Sequence, residues 1–146
     1  MANLGSPVSF RDPLTALRHA RKTVTFTGAA GAGAVGTVAA FTITGRIWVT
    51  NVSGFCTTNL TGAGTLDLGT ATSATAFLDQ ADATAIDAND WLTTTTSTAG
   101  TSGLATGVFV SEDMILTIGT TDVTAGVLVF DVWYYPVTDN GLLVAA

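Results

Sequence analysis

The residues able to carry out chemistry in this chain are few. It has one histidine, His19, and one cysteine, Cys56. A serine or cysteine nucleophile needs a base beside it, and the one imidazole falls in a basic N-terminal segment, apart from the rest of the chain. No Gly-x-Ser-x-Gly elbow occurs. A lone cysteine excludes an internal disulfide and a cysteine-based zinc site. In Gly54-Phe55-Cys56 it reads as a small buried apolar residue.

The acids gather at Asp79, Asp82, Asp87 and Asp90, just before Trp91. Paired carboxylates serve glycoside hydrolysis, and with Asn89 the oxygens of Asp87 and Asp90 are candidate cation ligands. The EF-hand order and its bidentate glutamate are missing, so a solvated acidic loop is the stronger reading. Gly31-Ala32-Gly33-Ala34-Val35-Gly36 matches the dinucleotide fingerprint literally. That motif requires a helix after its third glycine, to hold pyrophosphate at the helix start. Here the strand formers Thr37 to Thr44 follow, and the next acid is Asp67, so the segment reads as a loop between strands. Trp48, Trp91, Trp133, Tyr134 and Tyr135 offer a platform for sugar rings. Aromatics bury much area, however, and packing is the stronger reading. Trp133 and Tyr135 share one strand face with Tyr134 on the other. Trp48, Trp133 and Tyr135 are therefore assigned to the core or to a subunit contact. Asn51-Val52-Ser53 and Asn59-Leu60-Thr61 match the glycosylation pattern, but no secretory signal supports them.

The elements that must position these residues are strands. From Thr23 onward the apolar period is two: Val24 and Phe26 alternate with threonines. Strand-length runs recur at Val38–Thr44, Arg46–Val52, Gly64–Leu68, Val108–Val110, Met114–Ile118 and Val127–Tyr135, bounded by Gly, Asn, Asp and Pro136. About eight such runs predict an all-β sandwich, jelly-roll-like, over residues 23–146. Thr93–Ser102 reads as a surface loop, and Gly119–Gly126 as a hairpin connection. Residues 1–22 read as a basic arm. Asp12-Pro13 is a helix start, and Arg18 and Arg21 would lie near one another on the short helix that follows.

Composition narrows the partners. The chain has 146 residues, enough to bury roughly 70% of its unfolded surface in one core. It is 47% hydrophobic and only 11% charged, against a usual charged share of about 25%. So weakly charged a surface predicts coverage by neighbouring subunits. Arg11, Arg18, Arg21 and Lys22 face only Asp12 in the first 22 residues, whereas Arg46 stands alone against ten acids thereafter. The arm is thus matched to an acidic protein surface, and those four bases are the expected partner contacts. The acidic body argues against nucleic acid. The charge-free stretch Thr23–Gly45 is too rich in Gly and Thr for a membrane helix.

The run of features from Phe41 to Gly141 resembles small virion proteins of tailed bacteriophages. It is carried by Thr42–Ile47, Gly62–Thr70, Ala85–Trp91, Ile118–Gly126 and Trp133–Gly141. The resemblance implies a β-sandwich that caps or cements a capsid, commonly as a trimer at local three-fold positions, and it supplies no site residues. The expectation is a non-enzymatic decoration protein without cofactor, assembled in the host cytoplasm onto the head surface. Its partners would be copies of itself and the major capsid protein. The alternatives are a receptor- or carbohydrate-binding module on a fibre, and a tail or baseplate component.

Overall fold

The computed structural model describes residues 16–94, 97–99, 103–104 and 106–146. Two antiparallel sheets face each other across one core. The first contains β1 (Arg18–Phe26), β10 (Ala125–Pro136), β3 (Ile47–Thr61), β6 (Asp90–Leu92) and β7 (Ser97–Ala99) in that order, with β8 (Val108–Val110) also on β3. The second runs β11 (Leu142–Ala145), β2 (Gly36–Thr44), β9 (Met114–Gly119), β4 (Thr65–Gly69) and β5 (Leu78–Asp82). The pairing is nested: β1 with β10, β2 with β9, β3 with β8 and β6, β4 with β5. A hairpin folded on itself and rolled around a core gives this order, which is that of the eight-stranded jelly roll. β7 and β11 extend its two sheets.

Alternation drives the strands to these faces. In β9, Met114, Leu116 and Ile118 are buried while Ile115 and Thr117 are half-exposed. In β10, Leu128, Phe130, Val132 and Tyr134 point inward. Each fully buried side chain of this size stabilises the fold by about 1.5–3 kcal/mol. Tyr134 carries a polar tip into the core, where its hydroxyl reaches Leu143 of β11.

Four expectations are corrected. Arg18, Arg21 and Lys22 lie in β1, not on a helix; the sequence preceding Ala16 lies outside the described residues. Period-two alternation runs back to residue 18, with His19 and Arg21 outward and Val24 and Phe26 inward. Nine register pairs with β10 outweigh two turns of unsupported helix. Gly119–Gly126 is a crossover, not a hairpin: β9 and β10 belong to different sheets, and Val123 is buried between them. Thr93–Ser102 contains β7, whose Thr98 pairs with Trp91; three residues are too few to show a period. Finally, of the core or subunit contact expected for Trp133 and Tyr135, the core is ruled out. They stand half-buried on the outer face of the first sheet, and Tyr134 fills the core instead.

Candidate assembly surface

The outward side chains of β10 are Val127, Val129, Asp131, Trp133 and Tyr135. β1 adds His19, Arg21, Thr23 and Thr25 on one side, and β3 adds Trp48 and Phe55 on the other. Gly54 fixes the parity of β3 here: a Cβ on it would collide with Leu92 and Phe130 in the core, so Phe55 points out. Four ring pairs result: His19–Trp133 at 5.0 Å, Phe55–Trp91 at 4.7 Å, Trp48–Phe109 at 6.0 Å and Trp48–Tyr135 at 6.1 Å between centroids. With Trp48 shared, seven rings lie on this one face.

Asp131 sits among them, largely shielded from solvent. Arg21 donates to it from Nε at 2.8 Å and from a terminal nitrogen at 3.1 Å. His19 Nε2 lies 2.6 Å away and donates, since an ionised carboxylate only accepts. Burial pushes the Asp131 carboxyl up, but hydrogen bonds from Arg21 and His19 pull it further down, so it stays below its ordinary value. Hydrogen bonding to Asp131 in turn raises Arg21. The His–Asp pair does not build a nucleophile. Ser53 pairs with Asp131 on the far strand, which puts the carboxylate between base and hydroxyl, two strand spacings or about 10 Å apart. A nucleophile and its base must be in hydrogen-bond reach.

The remaining sequence candidates fall as follows. Arg11 lies outside the described residues. Arg18 donates to the Gly141 carbonyl at 3.4 Å, and Lys22 to that of Ala146. These two bases tie the edge of the first sheet to the end of the chain. Three of the four arm bases therefore have partners within the chain. Asp87 accepts from Asn59 Nδ2 at 3.2 Å, and Asp90 accepts from the Asp87 amide at 3.4 Å. Asn89 turns the loop with a φ of 74° and donates its amide to Cys56 O. Asp87 and Asp90 thus bond within their own loop, and among the described residues no three His, Cys, Asp or Glu side chains are grouped as a metal site. In the glycine motif, the Val35 amide donates to Asp122 at 2.8 Å, and the Val123 carbonyl approaches Gly33. That loop is packed against the β9–β10 crossover. Cys56 is buried, and burial raises its thiol.

Sequence reasoning missed Asp131, His19 as its partner, and Phe109. The signal for the first was present: an acid inside an apolar strand marks the outward parity, so Trp133 and Tyr135 must share it.

The fold and face together define a jelly-roll domain with aromatic side chains across the outer face of one sheet. No family model matches the chain, and no curated protein matches it. Among solved structures it is similar to a chain described as the capsid asymmetric unit of cyanophage Pam1. The two are 21% identical, with 82% of this chain and 84% of that one covered and a TM-score of 0.51. At that identity the likeness establishes the fold alone.

Proposed function

We propose that this chain is a structural protein of a phage virion, a decoration protein that reinforces the head shell through contacts of its aromatic sheet face. The observation that carries this reading is the outer face of the first sheet. Its seven rings surround one carboxylate, Asp131, that Arg21 and His19 already hold by hydrogen bonds. Large apolar patches of this kind mark surfaces that become covered, and Trp, Tyr and Phe supply most of the energy where they are. The likeness to a phage capsid chain supports a virion location. In this reading the neighbours are copies of the same chain, arranged as a homotrimer, and the major capsid protein. Weak contacts at several subunits then add by multivalency. Arg18, Arg21 and Lys22 bond to Gly141, Asp131 and Ala146 of the same chain, so any contact they make with a partner is made beside those bonds; Arg11 lies outside the described residues.

The test is addition of purified protein to undecorated shells, with location read by electron microscopy and stoichiometry by sedimentation. Val129→Asp, a charge at the middle of the face, should leave circular dichroism unchanged and abolish both oligomerisation and occupancy. Full occupancy by Val129→Asp would overturn the reading.

A further inference from the structure

On the side of the sandwich away from β1, the turn joining β4 to β5 (70–77) meets β8 and the turn that follows it. Thr70, Thr72, Ser73, Phe109, Ser111 and Glu112 line a cleft there of about 230 Å³. A second groove of about 230 Å³ adjoins it at Phe109–Ser111 and runs to Arg46 and Val137. Joined, the two reach the size of ligand clefts, about 300–1,000 Å³.

The polar wall is set before any ligand arrives. A Cβ on Gly69 would stand 2.1 Å from Ser73 O, so the turn folds back closely over its own start. The Thr70 amide donates to Ser73 O at 2.9 Å, and the Ser73 amide to Thr70 Oγ1 at 3.2 Å. Glu112 accepts from Thr72 Oγ1 at 2.5 Å and from the Thr72 amide at 3.1 Å. Those bonds hold its carboxyl below its ordinary value, ionised and fixed in place. Thr72 Oγ1, having donated its proton, still accepts. Phe109, 72% exposed, offers a ring beside them. Arg46 is exposed and, among the described residues, forms no ion pair.

We propose that this cleft binds an acidic saccharide, with a pyranose against Phe109, its hydroxyls on Glu112, Thr72 and Ser111, and a sugar carboxylate on Arg46. Three features select this class. A sugar hydroxyl both donates and accepts, as a wall of hydroxyls around one carboxylate requires, whereas an apolar ligand would leave them unpaired. The C–H face of a pyranose suits the negative face of an aromatic ring. A guanidinium fork takes a carboxylate by two parallel bonds. The cleft lies at β8, two strands from β10, and of the seven rings only Phe109 lines it. The inference goes beyond the virion reading and does not rest on it.

The test is a glycan array probed with the labelled full chain. Oligosaccharides bearing uronic or sialic acid units stand beside neutral ones of matched length. Binding to acidic glycans, with neutral ones about tenfold weaker, is the expected result. Arg46→Gln should erase that preference, and Thr72→Val should weaken both classes, each with unchanged circular dichroism. Binding to no glycan, equal binding of neutral and acidic glycans, or a pattern that Arg46→Gln or Thr72→Val leaves unchanged would overturn the proposal.

Discussion

Replacing Tyr134 by phenylalanine removes one oxygen from the core and leaves the ring in place. That oxygen accepts the Leu143 amide at 3.1 Å and donates to the Leu143 carbonyl at 3.3 Å. Among the described residues β11 pairs with β2 alone, so the hydroxyl stands in for a strand at its other edge. A net hydrogen bond is worth about 0.5–1.5 kcal/mol, and each buried group left unpaired costs about 1–3 kcal/mol. The longer bond counts for less. Leu142 and Val144 are exposed, so water reaches part of the vacated edge. The expected loss is about 2 kcal/mol, or about 4–8 °C in Tm for a chain of this length. Urea denaturation at fixed protein concentration measures it, and exchange of the Leu143 amide locates it. Tyr135→Phe, on the outer face, should cost less than about 0.5 kcal/mol. Equal stability of Tyr134→Phe and wild type, with Leu143 exchange unchanged, would refute the claim that this hydroxyl joins the two sheets.

Three further outcomes are expected. Gly33→Ala should destabilise by more than about 1 kcal/mol, because its Cβ would stand 2.1 Å from Val123 O at a φ of 120°, whereas nothing lies within 4 Å at Gly31. If Gly31→Ala proves as costly in the same melts, the close approach is not the cause. Asp131 has a depressed folded pKa, so its contribution is complete above its unfolded value, near 3.8, and is lost as pH falls through the lower folded value. Asp131→Asn should therefore flatten the acid limb of stability against pH below about 4, and identical limbs in the two proteins would exclude that linkage. Cys56, buried with its thiol raised, should react with a thiol reagent only in urea; rapid labelling of the native protein would contradict the packing.

The longer strands were legible because their apolar residues repeat every second position, and a buried sheet face permits no other register; β6, β7 and β11, of three or four residues, were not. Their faces were less legible. Trp133, Tyr134 and Tyr135 are all aromatic, so hydrophobicity alone does not say which points inward; Asp131, two residues before Trp133, does. The glycine fingerprint was separable from a phosphate loop by the strand formers after it. β1 was obscured because its first five residues are Arg18-His19-Ala20-Arg21-Lys22, a composition that reads as a solvated arm. Only β10, more than a hundred residues away, supplies Asp131 for Arg21 and His19. The link between Lys22 and the Ala146 carbonyl is equally remote. The pairing of β1 with β10 is what the jelly-roll topology requires, and no local window contains it.

The outer faces of the two sheets differ in the side chains they carry. The second sheet exposes Thr37, Thr42 and Thr44 from β2 and partly exposes Thr117 from β9 and Thr65 and Asp67 from β4. Hydroxyls hydrate that surface without lysine or glutamate, and β-branching suits the strands that carry them. The first sheet carries rings on β10, β3, β6 and β8 beside Thr23 and Thr25 of β1, while the second also exposes Leu142 and Val144 of β11. A free monomer would gain nothing from concentrating its apolar surface on one face. In the proposed contact the chain, laid flat on a larger body, would bury the ring face and leave the threonine face in water. The same asymmetry predicts orientation: in a decorated particle, a label on Thr42 should be accessible from outside and one on Thr25 protected. The opposite pattern would invert the proposed contact.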